Sequence, residues 1–567
     1  MVQEVLLYIS LIIAISAVLT VFTKIIKQPP IIAYLIAGVL VGPLFLNFIG
    51  PDSPSSDVIS TFAHIGVALL LFIVGLSLDF RVLKEVGGVS TFAGIAEIAV
   101  TGIIGSLIAI GIGFSNITAL YIGGALAFSS TVVVVKILSD KKEIDTLHGR
   151  IALGILIVED FIAAIALMAI PLIENGGGWS EILNKVGLVL GLIFLVFLCS
   201  LFVFKRLLDY LARNQEVLFL FGIAWALVLA TLFDRLGFSL EIGALIAGMS
   251  LASSKYTADL SGKIKPLRDF FMVLFFVFFG SQLAGVIDFA LIKKALLFSV
   301  FIVIGKPIIV MSILRLFGYK KRTNFLAGSS LAQISEFSLI LILMGFNLGH
   351  LSQEVMSLSV LIAIITIGAS SYSMYYAHSI FNKISHLLVI FEGRKHRMTE
   401  KQKEDSYEIV LIGYHRLGYQ ILKTLKRMNR GFVVIDYNPK VILSLGKEGV
   451  NCIYGDGGDK DFLSQINFSK TKLIISTIPD ESSNLNIKDI LRKTNSKTTF
   501  IATAEQPRYA LDLYDAGIDY VIIPHHLGGK FISTIIEAFG LKKDKYKYAG
   551  KDHYKELKDA RNTSNYL

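Results

Sequence analysis

Only two cysteines occur in 567 residues, Cys199 and Cys452, in regions of different composition, so no disulfide framework is implied. Charge is scarce as well: 17% of residues are charged and 54% hydrophobic, with mean hydropathy +0.66, which excludes an ordinary soluble chain. The opening Met1-Val-Gln-Glu-Val-Leu-Leu7 lacks a basic stretch, and no small-residue cleavage site follows. The first apolar run therefore reads as a retained span rather than a signal peptide. No Thr-Val-Gly-Tyr-Gly-like filter occurs, which argues against a potassium-channel pore. The net charge of +10 requires no nucleic-acid partner, because in a membrane chain the placement of Lys and Arg matters more than their sum.

What is present is unevenly distributed. From Val2 to about Ile390 apolar runs are nearly continuous; from about Glu392 the sequence resembles a soluble domain. The runs predict about thirteen spans, near 5–23, 31–49, 61–78, 91–113, 119–138, 150–173, 184–204, 217–234, 239–254, 270–287, 291–315, 325–347 and 355–378, each of bilayer-crossing length. Basic residues favour the odd-numbered exits (Lys24 and Lys27; Arg81 and Lys84; Lys141, Lys142 and Arg150; Lys205 and Arg206; Lys263, Lys265 and Arg268; Lys320, Lys321 and Arg322). The positive-inside rule then predicts an outside N-terminus and a cytoplasmic C-terminal domain in a multi-pass cell-membrane protein.

The stretch Ile151–Ala169 places two adjacent carboxylates, Glu159 and Asp160, in the middle of an apolar span. A charge there costs at least ~2.5–3.5 kcal/mol, which folding does not require, so the pair predicts an ion- or proton-binding site. Two other spans carry polar clusters. One contains Ser129-Ser130-Thr131, the other Ser329-Ser330-Leu331-Ala332-Gln333-Ile334-Ser335-Glu336 and Ser338. Hydroxyls satisfy backbone groups where a helix unwinds, and two interrupted helices in matching halves predict inverted repeats. Lys306, before Pro307 in a further span, wants a carboxylate partner, and Glu159 is the expected one, leaving Asp160 free. Glu97 and His64 are also within spans; His64 reads as a packing residue, and Glu97 is left without a role.

After a charged linker (386–406) the pattern becomes short β runs alternating with helices. Strands are predicted at Tyr407–Ile412, Phe432–Asp436, Asn451–Tyr454, Lys472–Ser476, Thr498–Ala502 and Tyr520–Ile523, a doubly wound parallel sheet over 407–530. A turn, Gly413-Tyr414-His415-Arg416-Leu417-Gly418, follows the first strand and opens a helix. It is a G-x-G-x-x-G with His415 replacing the second glycine, and Asp436 stands 18 residues beyond the last. That context predicts a nucleotide site with Asp436 on ribose hydroxyls, hence NAD(H) or AMP/ATP rather than NADP. Gly455-Asp456 after the third strand is expected to face the same ligand. No catalytic cluster accompanies the turn, which argues against a membrane-tethered oxidoreductase and for a sensor. The residues 531–567 read as a polar tail.

Several motifs together resemble the monovalent cation:proton antiporter-2 family: Gln28-Pro29-Pro30 through Gly42-Pro43, Leu71 through Gly75, Ser129-Ser130-Thr131, Gly149-Arg150, Glu159-Asp160 and Gln333-Ile334-Ser335-Glu336-Phe337. The C-terminal domain resembles the TrkA-N or RCK-type domain of its Kef-type potassium members. The resemblance implies a polytopic helical exchanger domain over 1–385, a homodimer, and two broken helices crossing next to Asp160. Kef-type members carry Gln-Asp and electrogenic sodium exchangers Asp-Asp where this chain has Glu159-Asp160. The expected function is alternating-access exchange of potassium or sodium for protons. Asp160 would take cation and proton in turn with help from Thr131 and Ser130, no cofactor would be required for transport, and a nucleotide would regulate it. A nucleotide-gated, channel-like potassium pathway is the alternative.

Overall fold

The structure of the protein is a computed structural model. It describes residues 2–563 except 50–53, 78–87, 142, 145, 175–186, most of 188–203, 213, 237–239, 253, 255, 284–287, 394–406, 415, 429, 437–438, 456, 459 and 496. The span expected at 184–204, most of the linker, His415 and Asp456 thus lie largely or wholly outside the described residues. The chain divides into two compact units, Met1–Gly393 and Arg394–Leu567.

In the first unit the apolar runs form α1 (Val2–Ile25), α2 (Pro30–Val41), α3 (Pro54–Ser77), α4 (Gly88–Gly111), α5 (Asn116–Ala127), α6 (Thr131–Asp140) and α7 (Leu147–Glu174). There follow α8 (Lys205–Leu211), α9 (Gln215–Arg235), α10 (Leu240–Leu251), α11 (Thr257–Ser281), α12 (Phe289–Val300), α13 (Lys306–Leu316), α14 (Lys321–Ser330), α15 (Glu336–Asn347), α16 (Gln353–Tyr375) and α17 (Ala377–Ile384). Seven described helical segments, from Leu6–Ile25 to Gln353–Tyr375, are long and apolar enough to cross a membrane. Two expected spans have different limits. The second ends at Val41 rather than 49, because Pro43 cannot continue a helix and Gly42 before it is extended (φ −76, ψ −175). The tenth begins at Thr257, not 270, because Leu260 and Ile264 form a buried stripe one helical turn apart that holds its polar first turns to the protein.

Small residues let the helices approach. A Cβ on Gly38 of α2 would lie 2.2 Å from Val277 O of α11, and one on Gly75 of α3 would lie 2.4 Å from Leu245 O of α10. Both interrupted helices occur as the hydroxyl clusters predict. Between α5 and α6 the chain is extended from Phe128, and Ser130 caps α6 by accepting from Val133 N–H. Between α14 and α15 it is non-helical over 331–335, and Ser335 and Ser338 cap α15 reciprocally. A third irregularity precedes Pro307: residues Phe301–Gly305 form a π turn in which Lys306 N–H reaches Phe301 O. Proline lacks the N–H that an α turn would use, so the extra residue is accommodated there.

The second unit is a six-stranded sheet in the order β3-β2-β1-β4-β5-β6, every pairing parallel. The strands are β1 (Ile409–Ile412), β2 (Phe432–Asp436), β3 (Cys452–Tyr454), β4 (Leu473–Ser476), β5 (Thr499–Thr503) and β6 (Tyr520–Ile522). The strand order reverses between β1 and β4, where doubly wound sheets open a ligand crevice. Helix α18 (Arg416–Arg427) follows β1 directly. The residues expected as a polar tail are helical, in α23 (Pro524–Phe539) and α24 (Lys543–Thr563). They are rich in Lys and hold no proline after Pro524, and the stop between the two helices falls at Gly540, whose φ is +53.

Candidate functional site

The two chain breaks converge on the helix that carries the acidic pair. Ser129, in the first break, donates its backbone N–H to Glu159 Oε2 at 2.6 Å and has its hydroxyl 3.3 Å from Glu159 Oε1. The same hydroxyl lies 3.2 Å from Leu331 O in the second break. Glu159 is fully buried, whereas Asp160 is half-buried. Thr131, the first residue of α6, donates its hydroxyl to Asp160 Oδ2 at 2.9 Å. The helix N-terminus behind Thr131 favours negative charge at that position.

The expected pairing of Glu159 with Lys306 is corrected by the geometry. The Lys306 ammonium is fully buried and its hydrogen bonds go to Ala127 O at 2.6 Å and Ser129 Oγ at 2.8 Å, with Glu97 Oε1 at 3.4 Å as its ion-pair partner. Ser129 therefore stands between Lys306 and Glu159. Glu97, on α4, also takes a hydroxyl from Thr101 at 2.9 Å and has Glu159 as a neighbour. Sequence reading noticed Glu97 without assigning it; only its meeting with Lys306 across α4 and α13 reveals its place.

Ser130 does not turn to Asp160. Its hydroxyl donates to Glu336 Oε2 at 3.0 Å, and its carbonyl accepts from Val134 N–H and, at 3.3 Å, from Gln333 Nε2. The Gln333 oxygen accepts from Ser370 on α16, a residue no sequence motif singles out. Ser335 caps α15 by accepting from Phe337 N–H at 3.1 Å. The consecutive hydroxyls of Ser130 and Thr131 thus hold two carboxylates, Glu336 and Asp160, at the head of one helix. Among the described residues no Lys or Arg forms an ion pair with Asp160.

In the second unit the turn after β1 has the form a phosphate-approaching turn needs. Gly413 has φ +91, open to glycine at little cost, and a Cβ on Gly418 would sit 2.2 Å from Gly413 O. Asp436, at the end of β2, accepts Tyr414 N–H at 2.7 Å. Arg416 and Leu417 open α18. Gly455 follows β3, with its N–H reaching Asp436 O at 3.0 Å, and a Cβ there would strike the Phe462 ring at 2.1 Å. Thr477, after β4 and unmarked in the sequence, places its hydroxyl 3.1 Å from Gly413 O. These residues fit a nucleotide: a glycine-flanked turn, a helix N-terminus and an acid at the second strand's end, all at the reversal of strand order.

Cys452 on β3 is not a reactive thiol. Burial pushes its pKa up to about 11, and the carboxylates of Asp436 and Glu448 add to the shift. At pH 8 the thiolate fraction is then about a hundredfold below that of a thiol of ordinary pKa. In a Cys199→Ser background, iodoacetamide is expected to label the native protein about a hundredfold more slowly than the urea-unfolded one. Comparable rates would show that the thiol is not held in this environment.

The family model described as "Sodium/hydrogen exchanger, transmembrane" matches residues 10–373, and the TrkA-N domain model matches 409–524. The chain is 29% identical over 517 residues to YbaL of Escherichia coli, covering 87% of this chain and 90% of that one. It is 28% identical over 508 residues to the glutathione-regulated potassium-efflux system protein KefC of Escherichia coli, covering 86% and 78%. A solved sodium proton antiporter of Methanocaldococcus jannaschii aligns with 68% of this chain and 99% of its own, at 17% identity and a TM-score of 0.49.

Proposed function

The chain belongs to the sodium/hydrogen exchanger family, with a TrkA-N domain, and from that premise we propose that it exchanges potassium or sodium for protons by alternating access around Asp160. One observation carries the reading most: Asp160 is half-buried at the crossing of two broken helices, oriented by Thr131, while the nearby ammonium of Lys306 is engaged by Glu97. Among the described residues no cation therefore neutralises the acid. Ionised, it binds the transported ion with the Thr131 oxygen; protonated, it crosses back empty. Because one carboxylate serves both, the two flows are coupled. Glu336, held by Ser130, places a second acid at the same helix head.

The working protein is read as a homodimer, as the family resemblance implies, and the distribution of basic residues argues for an outside N-terminus and a cytoplasmic second unit. A nucleotide such as NAD(H), AMP or ATP would lie against the turn 413–418 with Asp436 toward its ribose. It supplies no chemistry to transport; its differential affinity for two conformations would set the exchange rate. No cofactor is required for exchange itself, and the protein is a secondary transporter rather than an enzyme.

The direct test is cation flux in proteoliposomes under an imposed pH gradient, comparing sodium with potassium, with and without NADH or AMP. Exchange should be coupled to proton movement; channel-like flux without protons refutes the reading. A sharper prediction concerns Asp436. Asp436→Ala is expected to abolish the nucleotide response and leave basal exchange within about twofold, whereas Asp436→Asn, which can still accept Tyr414 N–H, should keep the turn and weaken binding less. Loss of basal exchange in both would show that the domain does more than regulate.

A further inference from the structure

A second charged cluster lies away from the carboxylate site, at the end of the first unit from which the chain leaves for the second. Glu143, in the loop joining α6 to α7, is largely buried and gathers three basic side chains. Lys141 Nζ is 2.9 Å from its Oε1, His378 Nε2 is 2.9 Å from the same oxygen, and His148 Nε2 is 3.2 Å from Oε2. Burial by itself would raise this carboxyl; the hydrogen bonds from His148 and His378 and the Lys141 charge outweigh it and hold it well below the usual carboxylate range. Lys141 also donates to Met374 O at 3.1 Å. A small cleft adjoins the cluster, lined in part by Lys141, Glu143, His148 and Ser330.

The elements meeting here are informative. His148 is on α7, the helix of Glu159 and Asp160. His378 is on α17, the start of the segment 377–393 that continues toward the second unit. The far end of that segment is fastened to α14, the helix running into the second chain break: Asn324 Nδ2 donates to Phe391 O at 2.9 Å, and Glu392 Oε2 accepts from Lys321 N–H at 3.3 Å. One connecting segment therefore holds the heads of two helices that enter the carboxylate site.

We propose that Glu143 is a positioning residue which, with His148 and His378, forms a proton-sensitive joint between the Asp160 helix and the segment leading to the second unit. The proposal rests on the exchanger reading only for what the joint acts upon. Charge counting gives the sign. With neutral imidazoles the cluster balances, Glu143 against Lys141, and each ring donates through Nε2–H. An imidazolium at His148 would be a buried cation beside Lys141 and facing His378 and Arg322, with Glu143 the carboxylate it touches. Lys136 and Asp140, at the end of α6, pair with each other at 3.3 Å and offer no further anion; Lys142 and Asp145 of the same loop lie outside the described residues. Burial, with His378 and Arg322 facing it, holds the His148 imidazole below its ordinary pKa, so acidification below the ordinary histidine range loosens the joint and alkalinity closes it.

Hydrogen exchange on the full-length protein at pH 8 and pH 5, corrected for intrinsic amide rates, tests this. Protection of peptides covering 146–156 and 374–384 is expected to fall at least about tenfold at pH 5 in the parent. The variant His148→Gln/His378→Gln donates to Glu143 at either pH and is expected to keep its protection. Glu143→Gln, without the charge, is expected to show low protection at both. Equal protection of the parent at the two pH values overturns the joint, as does a Gln variant that loosens like the parent. Flux measured in parallel keeps the readings apart: a parent that exchanges nothing refutes the exchanger, and exchange with pH-independent protection refutes the joint alone.

Discussion

Asp160→Asn is expected to abolish coupled exchange, by at least about a hundredfold, while the protein still folds and inserts. The asparagine side chain has nearly the shape of the acid, and its oxygen can still accept the Thr131 hydroxyl that holds Asp160 at 2.9 Å. What it cannot do is carry a negative charge in one half of the cycle and a proton in the other. The loss follows from the coupling itself, since a neutral side chain has nothing to neutralise and no proton to return. Thr131→Val provides the contrast. It removes a hydroxyl from the same carboxylate and should raise the cation KM about ten- to a hundredfold with coupling intact, because one hydrogen bond to a charged group contributes about 1.5–3 kcal/mol. Proteoliposome flux with a pH-sensitive dye inside reads both. Exchange by the asparagine variant at the parent's rate would remove Asp160 from the mechanism.

Where sequence reading succeeded, the signal was local. Ser129-Ser130-Thr131 stands out because three hydroxyls in an apolar run have no local reason to be there, and the chain does open at 128–130. The six strands fall within a residue or two of their expected limits because each is a short β-rich run closed by a turn. Where it failed, the cause was distance. Nothing near Lys306 distinguishes Glu159 from Glu97 as its partner; the choice is made by the π turn before Pro307 and by Ser129 standing in the way. Likewise Glu143 and His378 are 235 positions apart, and no spacing rule joins them. The early end of α2 was legible in principle, since Gly42-Pro43 is a stop signal inside an apolar run, but the hydropathy of residues 44–49 masked it.

The buried Lys306–Glu97 pair yields the second large effect, on folding rather than on turnover. Both side chains have no exposure, so removing the ammonium leaves Glu97 without a counter-charge beside a second buried acid, Glu159, and leaves Ala127 O without its donor. Breaking a buried pair from one side costs about 3–5 kcal/mol. Lys306→Met should therefore lower the thermal unfolding midpoint markedly, and Glu97→Gln, which retains an oxygen for the ammonium, should lower it less. The double variant Lys306→Met/Glu97→Gln is expected to recover most of the single lysine loss, since the uncompensated charge leaves with its partner, and the cycle of four proteins isolates the pairwise contribution. Had Glu159 been the partner, as the sequence suggested, Glu159→Gln and not Glu97→Gln would rescue the lysine variant. Thermal unfolding of these variants in one detergent decides between the two carboxylates: rescue through position 159 alone would restore the Glu159–Lys306 pairing, and rescue through 97 fixes Glu97 as the carboxylate that engages Lys306 and leaves Asp160 free to ionise.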